Sequence, residues 1–315
     1  MHFQSGTLAV GTKNGHITLY DDKLKQIGGP FCVKDFAISE TSSGVRSCST
    51  AFNKKSILVG TAASEIYEID SKTGKDTRGG ALASGHFLGE LWGLDVHPQK
   101  TQFCTVGDDR TLRVWDLEKK REIRSVVLDM PGRTCAYSAD GRMIAVGLGA
   151  DGSNSGRGLR NTSRAKLPSG GFIVFSECNL SIVRDPCFEP KKWVSDIKFS
   201  PDDRVLAVAS HDTTVYLYDA LKGFSKKQAF KKHTSYVNHI DFSTDGQHLQ
   251  STCGGYELLF SDVKTGRHIT NASSLRDERW HTMTCTLGWS VQGIWEECSD
   301  GTDVNAVIGQ EMELY

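Results

Sequence analysis

The stretch Gly107-Asp108-Asp109-Arg110-Thr111-Leu112-Arg113-Val114-Trp115-Asp116 constrains the fold most, because the rest of the chain repeats it. It reads as a tight turn followed by a strand. Thr111, Arg113 and Trp115 point one way, Leu112 and Val114 the other, the period of two of a half-buried strand. Thr101 to Val106 reads as the preceding strand, so the unit is a β-hairpin. Weaker copies are Leu8 to Asp21, Ile57 to Asp70, Leu206 to Asp219 and Leu249 to Asp262. Their closing aspartates, with Asp116, recur every 40–50 residues or so, the span of a four-stranded blade. One interval is about twice as long, and Gly171-Phe172-Ile173-Val174-Phe175 divides it as a sixth copy without its Asp.

Six hairpins in register, ending in Trp-Asp at the best copy, predict an all-β chain of the WD-repeat β-propeller type with six four-stranded blades. Seven blades or an open, truncated ring are the alternatives. Residues 7–315 are read as one propeller. Residues 1–6 (Met-His-Phe-Gln-Ser-Gly) fit no strand pattern and are read as an appended remnant. Blade one then has three strands, Thr7–Gly11, His16–Tyr20 and roughly Lys23–Ile27. Its innermost strand is expected from Val304–Ile308, which would close the ring and remove an exposed sheet edge. Blade two is expected from Val45 to about Arg78, after a Ser/Thr-rich linker at 39–44. Blade six begins at His233, with its inner strand at Val237–Phe242 and its outer strand at about Trp280–Leu287.

The formal net charge of −1 gives no basic field to argue for nucleic acid. No run of about 20 apolar residues argues for a membrane span, and the first ten residues lack a signal-peptide pattern. Nine cysteines without CxxC pairs read as reduced thiols of a cytosolic protein. No metal or cofactor site is expected. Catalytic signatures are absent as well: there is no Gly-x-Ser-x-Gly elbow, no HExxH and no phosphate-binding loop. His97, His211, His239 and His281 are isolated, and Cys104 and Cys285 lie in strands as small apolar fillers. A non-catalytic chain is the expectation.

The third blade resembles the WD-repeat family, in which a His, an Asp, a Ser/Thr and a Trp form a hydrogen-bonded set. Here His86, Asp109, Thr105 and Trp115 hold the matching positions, and Asp212 takes the hairpin-turn position of blade five. Buried polar atoms need partners, which makes this set structural. A closer resemblance rests on Gly89-Glu90-Leu91-Trp92-Gly93-Leu94, Arg279 to Gly288, and Gly293-Ile294-Trp295 followed by Asp300-Gly301-Thr302-Asp303-Val304-Asn305-Ala306. These segments resemble the echinoderm microtubule-associated-protein-like family, and the likeness spans nearly all of the chain after Thr7. It implies most of the second of two joined propellers, tubulin and microtubules as partners, and a cytoplasmic, cytoskeletal location. It implies oligomerisation through a coiled coil lying outside this sequence. This stretch alone is therefore expected to be monomeric and to bind microtubules weakly.

Loops on a rigid disc are where recognition residues sit. The candidate contact residues are Trp92, Trp193 and Tyr236, near the starts of inner strands, and Lys13, Asp108 and His211, just before hairpin-turn positions. The insertion 149–170 carries Arg157, Arg160, Arg164 and Lys166 against a single acid, Asp151. Its Gly/Ser/Asn-rich composition predicts disorder without a partner. Its charge suits an acidic surface such as the tubulin tails; a tolerated insertion in an exposed hairpin is the alternative. Other protein partners, or a role as a spacer, stay open at this point.

Overall fold

A computed structural model of the chain describes residues 2–4, 7–37, 43–50, 55–149, 169–295, 304 and 306–307. It has six antiparallel sheets of three or four strands and short 3-10 turns, the expected class and blade count. The first sheet is β1 (His2–Gln4), β2 (Thr7–Gly11), β3 (His16–Asp21) and β4 (Gln26–Cys32); the second is β5 (Val45–Thr50), β6 (Ser56–Thr61) and β7 (Ile66–Asp70). The third is β8 (Leu91–Val96), β9 (Gln102–Gly107), β10 (Thr111–Asp116) and β11 (Arg121–Val127); the fourth is β12 (Gly132–Tyr137), β13 (Met143–Gly149), β14 (Gly170–Ser176) and β15 (Ile182–Cys187). The fifth is β16 (Val194–Phe199), β17 (Val205–Ser210), β18 (Val215–Asp219) and β19 (Ser225–Phe230); the sixth is β20 (Val237–Phe242), β21 (His248–Cys253), β22 (Leu258–Asp262) and β23 (His268–Ile269). Two compact units result, residues 1–90 with 119–122 and residues 91–118 with 123–315.

Three expectations are corrected. The innermost strand of the first sheet is β1, with His2 opposite Ala9 and Gln4 opposite Thr7, so residues 2–4 belong to a sheet. The C-terminal segment does not take that place: Val304, Ala306 and Val307 are outside any strand, and the rest of 304–308 lies outside the described residues. The second sheet has three strands, and beyond β7 only isolated bridges form, Ile69 with Asp76 and Ile66 with Ala83. The outer strand of the sixth sheet is His268–Ile269; residues 280–287 instead return to the inner strand, where Trp280 bridges Ser243 and the His281 N–H donates to Phe242 O.

The recurring aspartates have a local cause. At four of these strand ends the carboxylate caps the following turn. Asp21 accepts from the N–H groups of Lys23 and Lys25, Asp70 from those of Lys72 and Thr73, Asp219 from those of Leu221 and Lys222, and Asp262 from that of Thr265. These bonds favour the ionised form, holding Asp70 and Asp262 below the usual carboxylate range. Ser-x-Asp turns close the first hairpins of three sheets: Ser138, Ser200 and Ser243 hydroxyls donate to Asp140, Asp202 and Asp245 at 2.7, 2.6 and 2.6 Å.

Within the second unit the inner strands are stitched sheet to sheet. Asp95 of β8 accepts from Tyr137 N at 2.7 Å, and Asp196 of β16 accepts from Ile240 N at 2.9 Å. Asp241 of β20 accepts from Thr284 N and Cys285 N at 3.0 and 2.8 Å. Burial raises Asp95 and Asp196, opposed by the bonds they accept and by Lys198. The Lys198 ammonium is kept above its usual value by Asp196, Asp95 and Asp241, against the opposite pull of its burial. Strands inside this stack are covered on both faces. Thr111, Leu112, Arg113 and Val114 are all buried, so the alternation of β10 marks two packed faces and not one wet one.

His97 lies at the end of β8, 4% exposed, with its ring against Tyr137. Its Nδ1 accepts from Gln99 N and Lys100 N at 3.0 and 3.1 Å, which requires the neutral imidazole. Burial, then the nearby Lys100 ammonium, push its pKa below the usual histidine value. The unfolded chain therefore takes up this proton first, and the contribution of His97 is lost as pH falls below about 6.5. The urea midpoint is expected to drop between pH 7 and pH 5, with a shallower slope in His97→Asn, which keeps an acceptor for the turn. An unchanged slope would discount His97.

Candidate functional site

The inner strands of the second unit share a defect. Pairing slips by one residue between Leu91 and Gly93, Gly132 and Thr134, Val194 and Asp196, and Val237 and His239. The skipped residues are Trp92, Arg133, Ser195 and Asn238. A bulge leaves its extra residue unpaired and re-aims its side chain. All four line one cavity of 570 Å³ in this unit, with Trp193, His211 and Tyr236 from the adjoining ends and turns.

The aromatic groups form a ladder. Trp92 and Trp193 meet edge to face at 5.9 Å, Trp193 meets His211 at 4.5 Å, and His211 stacks on Tyr236 at 4.8 Å. The Arg133 guanidinium lies over both indoles, 4.8 Å from Trp92 and 4.5 Å from Trp193. Its Nη1 pairs with Asp108 at 3.0 Å and its Nε donates to Gly149 O at 3.2 Å. Held on three sides, the 8%-exposed guanidinium fixes both indole planes. Trp92 and Tyr236 are each 45% exposed, leaving large apolar surface open at the two ends of the ladder. The lining holds one guanidinium and the imidazoles of His211 and His239, and no carboxylate among the described residues.

Both ends of the long insertion start here. A Cβ on Gly149 would come within 2.0 Å of Trp193 Cβ, and one on Gly170 within 1.7 Å of Lys192 O. Glycine at these two positions lets the hairpin press against Lys192 and Trp193, just before β16. Arg157, Arg160, Arg164 and Lys166 lie outside the described residues.

Five of the six compact candidates thus meet at one place: Trp92, Trp193, Tyr236 and His211 in the ladder, and Asp108 behind Arg133. Lys13 belongs to the first unit, exposed in the β2–β3 turn. Of the structural set, Trp115 Nε1 donates to Thr105 Oγ1 at 2.7 Å. Asp109 accepts from Thr111 N and Oγ1 at 3.0 and 2.8 Å, and His86 belongs to the first unit. Asp212 accepts from Lys191 N and from the Tyr216 hydroxyl, both at 2.8 Å. Sequence reasoning missed Arg133, Ser195, Asn238 and His239. The signal that could have found them is positional, since the first three take the same place in successive inner strands as Trp92.

The family model of the echinoderm microtubule-associated protein second beta-propeller matches residues 91–313, starting at the first residue of the second unit. Human echinoderm microtubule-associated protein-like 3 is 32% identical over 298 residues, 93% of this chain and 30% of that protein. Human echinoderm microtubule-associated protein-like 2 is 33% identical over 255 residues, 80% of this chain and 35% of that protein. Mouse echinoderm microtubule-associated protein-like 4 is 35% identical over 225 residues, 70% of this chain and 20% of that protein. The chain thus spans from a fifth to about a third of the length of these relatives.

Proposed function

This chain belongs to the echinoderm microtubule-associated-protein-like family, and on that premise we propose that it is a non-catalytic interaction module contributing to tubulin and microtubule binding. The contact surface is the aromatic cavity of the second unit, and its partner is an acidic protein segment. One observation carries this reading: an aromatic-lined cavity that offers a guanidinium and two imidazoles and no carboxylate among its described lining. With no carboxylate in that described lining, an acidic segment meets no like charge there. Trp, Tyr and Arg also dominate interface energies when binding buries them. The basic insertion joins the sheet at Gly149 and Gly170, beside Trp193 and Lys192, and the positive charge of Arg157, Arg160, Arg164 and Lys166 suits the same acidic partner. The family relation supports a cytoplasmic, cytoskeletal site of action.

Soluble-tubulin titration and microtubule co-sedimentation test this. Trp92→Ala and Tyr236→Ala are each expected to weaken binding about tenfold or more. Charge reversal at Arg157, Arg160 and Arg164 should weaken binding and flatten its salt dependence. Native affinity in all these variants, with the fold intact by circular dichroism, would leave the chain a spacer.

A further inference from the structure

We propose that His233, Cys253 and Glu257, in the sixth sheet, form a zinc(II) site with its fourth position open to water. His233 precedes β20, Cys253 ends β21, and Glu257 sits in the turn into β22. One donor atom from each lies within 4.8 Å of the others. His233 Nδ1 is 3.5 Å from Glu257 Oε2, and Cys253 Sγ is 3.3 Å from the same oxygen. Ligands of a tetrahedral zinc ion with one sulfur stand about 3.3–3.6 Å apart. The nitrogen, sulfur and oxygen donors suit zinc better than calcium or magnesium, which prefer oxygen alone.

The imidazole is the independent pointer. Its side chain is 2% exposed, and Nδ1 is buried with no hydrogen-bond partner. Nε2 bonds Ser251 Oγ at 2.7 Å, the outer contact that fixes ring and tautomer in a metal-bound histidine. In the tautomer that donates from Nε2 to Ser251 Oγ, Nδ1 carries the free lone pair. The carboxylate is already ionised and aimed. Thr234 N and Oγ1 donate to its two oxygens at 2.9 and 2.8 Å and hold it down at about 2.

The competing account is the WD-type set with Glu in place of Asp. Its indole is missing here. Trp115 pairs with Phe103, two residues before Thr105; the matching partner of Leu249, two residues before Ser251, is Ser261. That indole would bond the Ser251 hydroxyl, as Trp115 bonds Thr105, so the buried Nδ1 faces Glu257 alone, 3.5 Å away and without a hydrogen bond, and a metal between them would satisfy it. Cys253 also lines the 570 Å³ cavity, which gives an ion a route in. Binding exchanges the thiol proton for the metal: the S–H bond breaks, a Zn–S bond forms, and one proton passes to solvent.

The test uses the whole chain, ZnCl₂ and a competing chromophoric chelator, with calorimetry in two buffers of different ionisation enthalpy. One zinc per chain, release of one proton and a raised melting temperature are expected. Cys253→Ser and Glu257→Gln should abolish this binding, and Ser251→Ala should weaken it roughly 10–100-fold. Cys178→Ser, at an exposed thiol, should change nothing. Glu257→Gln replaces a partly exposed side chain and keeps a readout if Cys253→Ser misfolds. No zinc uptake by the native chain, or native uptake by Glu257→Gln, would overturn the proposal.

Discussion

Replacing Asp241 with alanine is expected to lower the unfolding free energy of the second unit by about 4–5 kcal/mol. The carboxylate is fully buried and accepts from five donor groups. Gln250 Nε2 lies at 3.0 Å, Thr282 Oγ1 at 2.6 Å, Thr284 Oγ1 at 2.8 Å, Thr284 N at 3.0 Å and Cys285 N at 2.8 Å. Alanine strands the two buried backbone N–H groups of Thr284 and Cys285. Each stranded buried donor costs about 1–3 kcal/mol. The side-chain donors can turn away more cheaply. Urea unfolding followed by tryptophan fluorescence gives the magnitude. Reactivity of the buried Cys285 thiol gives the location, since it should rise sharply in the variant. Asp241→Asn keeps one acceptor and should fall between. Thr286 and Leu287, next in the chain, are part of the cavity wall, so the same variant should weaken partner binding. A loss below about 1 kcal/mol would mean that this segment is not held by Asp241.

That segment also marks where sequence patterns stop being informative. Trp280 to Leu287 has the composition of an edge strand, yet the Thr284 and Cys285 N–H groups go to a carboxylate on the neighbouring inner strand. A side-chain acceptor competing with a ladder leaves no trace in a period of two. The hairpins themselves were legible because alternation and turn chemistry are local, and so were the closing aspartates, since the carboxylates of Asp21, Asp70, Asp219 and Asp262 cap the next turn. β1 escaped notice because three residues are too few to show a period, and its pairing partner supplies the order. The two-faced burial of β10 depends on what stacks against it, which alternation cannot report. At the candidate site, Trp92, Trp193 and Tyr236 stood out as large aromatics at strand starts. Arg133 did not, because a bulge, invisible in the residue types, is what turns it between two indoles.

Arg113 offers the second large effect. Its guanidinium is 2% exposed; Nη2 lies 3.6 Å from Asp109 Oδ2, and Nε donates to Thr111 Oγ1 at 3.0 Å. Asp109 itself is fully shielded, and it also shapes the turn through Thr111 N. Removing one member of a buried pair leaves the other's charge in a medium that cannot solvate it, at about 3–5 kcal/mol. Arg113→Met, close in volume and apolar, is therefore expected to destabilise by that amount despite its good packing. Replacing the pair should cost much less. Asp109→Asn combined with Arg113→Met keeps an acceptor for Thr111 N and buries no net charge. A double-mutant cycle by urea unfolding should then show a coupling of about 2 kcal/mol or more. Additive losses would mean that Asp109 is neutralised by other contacts and that Arg113 acts through packing alone. Thr105 and Trp115 lie on the same hairpin, and their 2.7 Å bond should survive in the double variant. The tryptophan emission maximum of the double variant should accordingly match that of the native chain, while that of the single Arg113 variant shifts to the red.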